Sequence, residues 1–518
     1  MGSQLQNITI AAPGFAGLNT QDSPVGLNPA FAAVADNCVI DQFGRIGARK
    51  GYSTVSTNGA AVLGSSRGIE GIHEFVARDG TKTVFSVGNN KIFTGTTTLA
   101  EVTMPAGYSI TANNWKIVTF NNNVHFYQLG HAPLVSTGGS TTLVLSAYTD
   151  TTPSPPVVIP APSGNEVLAA AGRLWVADVT GNKHTVYWSD TLLGNKFHGG
   201  ASGSLDVTLV WPTGTDEIVA LTEHNDFLII FGKKSIIVYQ GTADPTNTLV
   251  LADTIEGVGC IARDSVQHTG TDVLFLSDSG LRSFGRVVQE KSLPMRDISK
   301  NVRNDLKDRV ASELLPIKSL YSPDEAFYLL TFPSTDVVYC FDMRTAIDET
   351  GAHRATTWSG LDPLALTLLD DGSLYIGLTT GIVKYDTYLD GTDEYQLRYF
   401  SNFMDFGSPS NLKFLKKFNI TLVGAYNTST TLSWSYDYTG VFSKQIFTTP
   451  ITNAIAQYGI AEYGIGEYSG GYDALVRKPT VNTGGSGSIV TVGIEAQITG
   501  APYSIQKIDI HALLGRLI

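Results

Sequence analysis

The sequence predicts a mainly β protein, on three observations. Glycine accounts for 53 of 518 residues and charged residues for only 16%. With abundant Thr, Ser, Val, Tyr and Phe, that mixture suits short strands and tight turns rather than a helical enzyme. A unit of apolar strand, polar turn and second apolar strand recurs, starting at Ile72, Lys116, Val167, Glu217, Val266, Ile317 and Leu364, in steps of 44, 51, 50, 49, 51 and 47 residues. The turns, "ARDGT" at 77–81, "FNNNV" at 120–124, "EHNDF" at 223–227 and "DDGS" at 370–373, place Asn, Asp and Gly where a hairpin needs positive φ. A step of about 45–50 residues is the size of a four-stranded propeller blade, although no unit carries a regular WD or kelch signature. The chain is also too long for one ordinary core. The expected architecture is a six- or seven-bladed β-propeller-like core over residues 61–395. It is flanked by an N-terminal arm or platform segment, 1–60, and a C-terminal β platform domain, 396–518. The two ends together make an additional β-sandwich platform.

Taken in order, the elements read as follows. Asn28 is placed to cap a short helix with Pro29 at its first position, and a hairpin turning at Phe43–Gly44 follows. Residues 295–315 form the clearest helical pattern, with Ile298, Val302, Leu306, Val310 and Leu314 on one stripe. Near the C-terminus, Ile489, Thr491 and Gly493 alternate with Val490, Val492 and Ile494, as in a strand buried mainly on one side. Between these lies "QYGIAEYGIGEYSGGY", residues 457–472, in which Tyr458, Tyr463 and Tyr468 recur every fifth residue and Tyr472 closes the run. A step of five fits neither a helix face nor a strand face. Glycine bulges would re-aim these tyrosines onto one surface, where flat aromatics suit a permanent subunit interface. A Tyr-Gly loop packed on its own subunit and a sugar-stacking array are the alternatives.

Composition excludes several functions. Thirty-five Lys and Arg stand against 47 Asp and Glu, a net charge of −12, which argues against binding by phosphate neutralisation. Cys38, Cys260 and Cys340 form neither a disulfide framework nor a zinc signature, so folding in a reducing cytoplasm is expected. The first residues have no basic, apolar leader pattern, and no stretch approaches the ~20 apolar residues of a span, so neither a signal peptide nor a membrane span is expected. Phosphate-loop, nucleophile-elbow and HExxH patterns are missing. The stretches "GGSGS" at 484–488, "SDSG" at 277–280 and "DDGSLYIG" at 370–377 read as turns. His73, His125, His184 and His224 lack metal-like partners in the sequence, and nothing selects the carboxylate pair a glycosidase requires. No catalytic, cofactor-binding or metal-ligating residue and no cofactor is expected, and the chain reads as a non-enzyme.

One stretch carries a family likeness. Residues 257–306, "GVGCIARDSVQHTGTDVLFLSDSGLRSFGRVVQEKSLPMRDISKNVRNDL", resemble the β-propeller tail proteins of short-tailed bacteriophages. In those proteins a "GC-ARDS" segment leads to an "LSD-G-RS" hairpin and a "RDIS" helix, here Gly259–Ser265, Leu276–Ser283 and Arg296–Ser299. The opening stretch ending in "RKGY" and the tail with its aromatic-glycine run and "APYSIQKIDI" are similar too. Several members of the family are longer, with inserted domains, so this chain resembles a minimal version. The resemblance implies a tail nozzle or hub, called tail tubular or DNA-stabilising protein. It would be a homohexameric ring below the portal and the tail adaptor protein, retaining genomic DNA and conducting it through the lumen without sequence-specific binding. Tail fibre or spike proteins are further expected partners. The location implied is the virion, after assembly in the host cytoplasm. Net acidity suits an acidic or neutral lumen, against the alternative that the acids face outward. The rival function is a β-propeller glycan hydrolase or lectin-like host-recognition protein.

Overall fold

The computed structural model describes residues 5–24, 27–64, 68–110, 114–212, 214–290, 297–347, 351–449 and 475–517. It is mainly β, with many small antiparallel sheets and only short helices. Each predicted strand–turn–strand unit opens a sheet. The seven first strands are Ile69–Val76, Trp115–Phe120, Gly164–Ala170, Ile218–His224, Gln267–His268, Lys318–Ser322 and Ala365–Leu368. Neighbouring first strands lie against one another, and the seventh returns to the first. Separate apolar clusters fill the gaps between consecutive sheets. Because each sheet is covered on both faces, its middle strands read as unbroken apolar runs: Phe227–Gly232, Val273–Ser277 and Phe327–Phe332 are almost wholly buried. The turns take the expected backbone, with positive φ at Asn121, Asn122, Asn225 and Asp226.

Both chain ends join this ring. Gly51–Thr54 pairs antiparallel with Gly381–Thr387 and completes the seventh sheet. Phe31–Asp36 sits between His353–Trp358 of the sixth sheet and Tyr395–Ser401. From there the sheet continues through Val490–Ile498 and Ser429–Tyr436 to the edge strand Ser443–Thr448, ten strands in all. A second, six-stranded sheet is centred on Tyr503–Leu517, which pairs with Asn411–Gly424, Leu5–Ala11 and Ile46–Ala48. One large core is shared by these two sheets and the fifth and sixth sheets of the ring.

Three local expectations change. Asn28 and Pro29 make a turn rather than a helix: the Asn28 carbonyl accepts the Phe31 N–H at 3.0 Å, and its side chain accepts that of Ala30. The reason is that Phe31 already belongs to an interior strand. The helix expected over 295–315 is a 3-10 turn, Lys300–Val302, followed by Arg303–Ser312. Its stripe buries Ile298, Val302 and Leu306, but Leu314 is 89% exposed, because the chain turns extended at Glu313. Val490–Ile498 is buried on both faces through Ile494, since Val490, Val492 and Ile494 enter the large core while the Phe400 ring covers Gly493 on the other face. The hairpin at Phe43–Gly44 forms as expected between Cys38–Ile40 and Ile46–Ala48. Among the described residues no helix is long and apolar enough to cross a membrane.

Candidate functional site

The segments singled out in the sequence converge on buried charged side chains that join separate sheets. After the fourth sheet the chain runs through "GVGCIARDS" to the middle of the ring and makes a 3-10 turn, Arg263–Ser265. The Arg263 guanidinium, almost fully buried, donates to the Trp115 carbonyl at 2.7 Å in the second sheet. It also donates to the Asn165 carbonyl and side chain at 2.6 and 2.7 Å in the third. Its remaining N–H groups fork onto Asp264 at 2.8 and 2.9 Å. Asp264 in turn accepts Lys318 of the sixth sheet at 2.6 Å, and the Ser319 hydroxyl donates to the Asp264 carbonyl at 2.7 Å. Tyr328 donates to the Ser265 carbonyl at 2.8 Å. One connector thereby ties together sheets that are far apart in sequence.

The charges balance only as a set. Burial alone would raise the Asp264 carboxyl, but Arg263, Lys318 and Lys116 outweigh it and hold it well below the usual carboxylate range. Glu166 lies deeper, with a side chain 1% exposed, and burial pushes it up against the pull of Lys116 and Arg263. One of its oxygens accepts the Leu221 N–H at 3.3 Å, while the other has only the longer ion pairs to Lys116 at 3.5 Å and Arg263 at 3.8 Å. A polar cavity of about 190 Å³ opens onto this set, bounded by Glu70, Trp115, Lys116, Asp264, Gln267 and Lys318. Both Asp264 oxygens are engaged by cations, and Glu166 is enclosed behind them. The geometry is that of a lock.

A second lock joins the ring to the terminal sheets. Arg49, from the "RKGY" stretch, is buried and grips Asp390 through both guanidinium ends at 2.8 and 2.7 Å. Its Nε donates to the Asn37 side chain at 2.8 Å, and its guanidinium carbon lies 4.2 Å above the Tyr395 ring. Asn37 carries the contact onward to Gln396 and Ser359. A third lock ties the "LSD-G-RS" hairpin to the "RDIS" segment. Buried Asp297 pairs with Arg303 Nε at 2.7 Å and holds Ser299, whose hydroxyl accepts the Leu281 N–H at 3.0 Å. A side chain at Gly280, with φ of 122°, would collide with Ser299. Arg296 lies outside the described residues.

So do Tyr458, Tyr463, Tyr468 and Tyr472, the expected interface tyrosines. The histidines fall in separate places. His73 meets the Thr119 hydroxyl at 2.7 Å, and burial pushes it down to about 4. His125 is buried, also pushed down to about 4 by burial, while His184 meets the Asp216 carbonyl at 2.6 Å and His224 packs on His268 and Phe284. The three cysteines are free and buried, which raises their thiols. Arg263, Asp264, Glu166 and Arg49 were missed as a functional set. The one available signal was charge inside an apolar context, "CIARDSV".

No protein-family model and no curated protein sequence matches the chain. Among solved structures it is similar to the extracellular domain of a one-component system of B. thetaiotaomicron, at 11% identity and TM-score 0.37, over 68% of this chain and 44% of that one. It is similar to PorZ, a surface component of the type-IX secretion system of Porphyromonas gingivalis, at 10% identity and TM-score 0.34, over 64% and 37%. The WD40 domain of Toxoplasma gondii coronin matches at 10% identity and TM-score 0.34, over 68% and 86%. The chain thus spans less than half the length of the two bacterial proteins. Likenesses at that level say nothing of what this chain does.

Proposed function

We propose that the chain is a non-enzymatic structural component of a bacteriophage virion, the nozzle or hub ring of a short tail. In this reading the seven sheets are the blades of a propeller closed by Gly51–Thr54, and the terminal sheets are a sandwich platform facing the tail adaptor protein. Six copies form the ring, which retains packaged DNA and conducts it at ejection, with fibre or spike proteins as further partners. The observation that carries the reading is the axial lock. The motif that resembles the tail family, Gly259–Ser265, is the segment whose Arg263 and Asp264 occupy the middle of the blade ring. A blade ring stitched through its middle gives DNA no path through one subunit. A conduit then has to be enclosed between copies, which is what a nozzle does. The acidic residues suit a wall that does not grip phosphates.

The test is mass in solution and on purified particles, together with imaging of the assembled tail. A hexamer found on the tail supports the reading. A strictly monomeric protein missing from particles overturns it, and turnover of a glycan panel abolished by one carboxylate substitution would favour the hydrolase instead.

A further inference from the structure

The seam between the second and third sheets of the ring holds a buried imidazole with nothing to bond. His125 is 1% exposed, and among the described residues neither of its ring nitrogens has a hydrogen-bond partner. The same holds for the hydroxyl of Tyr127, two residues along Asn123–Gln128 on the same face. Val118 and Val135 stand opposite His125 on the flanking strands. Phe120, Val167, Leu174 and Val176 fill the seam around it. A side chain at Gly194 would meet the His125 Nε2, Leu174 and Phe120 together. An unpaired charge in such apolar surroundings is costly, so the imidazole stays neutral while the seam is closed.

The titratable and charged groups that face the seam are engaged elsewhere. Lys116, on the same face of the second sheet, pairs with Glu166 at 3.5 Å toward the axial lock. On the third sheet Asp178 accepts Lys183 at 2.6 Å and Asn165 at 2.9 Å, and Tyr187 accepts Asn182 at 3.2 Å. Arg173 alternates to the far face with Trp175 and donates to the Ser189 and Ala201 carbonyls. The loop that carries Gly194 contributes Asp190 and Lys196, which bond each other at 2.7 Å. Burial alone therefore pushes His125 down to about 4.

The seam is pinned at one end and lightly held at the other. Arg263 grips the starts of Trp115–Phe120 and Gly164–Ala170 through the Trp115 and Asn165 carbonyls. At the turn end the Asn121 side chain donates to the Leu192 carbonyl at 2.8 Å, an exposed bond. Five buried apolar and aromatic residues fill this seam, against thirteen in the next, so it is the weaker of the two. The chain crosses from Val144–Leu145 to Gly164–Ala170 through residues 146–163, which form a two-stranded sheet of their own. No short connector has to stretch when the sheets part.

We propose that protonation of His125 parts the second and third sheets at their turn ends, with Arg263 as the hinge. The device is an acid-opened seam, and it does not depend on the ring-assembly reading above. In the open form the imidazole reaches water and binds a proton near 6.5, whereas the closed form binds one only near 4. Opening therefore gains up to about tenfold per pH unit across that window and nothing further below it.

The experiment labels an engineered thiol, Leu174→Cys, in the full-length chain at several pH values, using an activated disulfide that reacts in acid. Rates are divided by those of a small free thiol, and labelling of the native cysteines is subtracted with the unsubstituted chain. The relative rate is expected to rise roughly fiftyfold from about pH 7 to about pH 4.5. Ile230→Cys, buried in the next seam, should show no such rise. Combining Leu174→Cys with His125→Gln or His125→Leu should abolish it, and circular dichroism at each pH confirms which variants are folded. Val176→Cys replaces Leu174→Cys if that variant does not fold. An equal rise at both seams overturns the proposal, since it would report general loosening in acid. A rise that survives both His125 substitutions overturns it, as does a rate that does not change with pH.

Discussion

Arg263 shows why the middle of the molecule was hard to read from sequence. In "CIARDSV" an arginine beside an aspartate reads as an exposed pair in a loop. It becomes a hub only because the loop meets Trp115, Asn165 and Lys318, which stand far apart along the chain. Removing one member of a buried ionic set strands the others. Arg263→Met is therefore expected to cost about 3–5 kcal/mol, read as a fall in melting temperature. Asp264 makes a separate prediction through pH. Its folded-state carboxyl is held below the unfolded value by Arg263, Lys318 and Lys116, which outweigh burial. Its stabilisation is thus complete above the ordinary Asp range and lost as pH falls. Below about pH 3.9 the unfolded chain takes a proton that the folded chain refuses, removing about 1.4 kcal/mol per pH unit. Denaturant titrations from pH 7 to 2.5 should show that acid limb in the wild type, and Asp264→Asn should flatten it by one proton. An acid limb of equal slope in both would refute the assignment.

At the scale of elements, local pattern and tertiary context divide the credit. Hairpin turns were legible because Asn and Asp tolerate positive φ, and Asn121, Asn122, Asn225 and Asp226 adopt it. The apolar runs of the middle strands were legible because a strand covered on both faces carries few polar side chains. What periodicity could not supply was the end of the helix at Ser312 or the second covered face of Val490–Ile498, because both depend on which strands pack there. The helix stripe contains its own control: Leu306→Ala should cost 2–5 kcal/mol, on the order of a filled core site, while Leu314→Ser should fall within about 0.5 kcal/mol. Thermal or urea melts of the two variants measure the contrast. Gly493 gives a second case. It faces the Phe400 ring, into which a Cβ would run, so Gly493→Ala should cost about 1–3 kcal/mol by overpacking. A neutral result would mean that the ring moves aside.

For the whole molecule, the repeat step predicted seven sheet starts, yet no spacing announces that the seventh sheet takes its outer strand from Gly51–Thr54. That pairing is sequence-remote and rests on few residues: Thr54 opposite Val383, Ser53 opposite Lys384 and Gly51 opposite Thr387. Two truncations separate its role from that of the arm before it. Deleting residues 1–11 removes Leu5–Ala11, a strand whose pairing runs along one edge of Tyr503–Leu517. Deleting residues 1–55 also removes Phe31–Asp36 from inside the ten-stranded sheet, the Arg49 grip on Asp390, and the closing strand. The first deletion should leave one cooperative melt, lowered by the loss of an edge strand and of Ile10 from the large core, because the ten-stranded sheet and the closing strand stay in place. The second leaves Gly381–Thr387 with an unpaired edge over an apolar core, the arrangement that invites aggregation. Hydrogen exchange reads the difference directly. The Lys384 amide, which faces the closing strand, should stay protected in the shorter deletion and exchange within the dead time in the longer one, which should also lose solubility. Equal protection of that amide in the two chains would mean that the ring closes without its N-terminal strand.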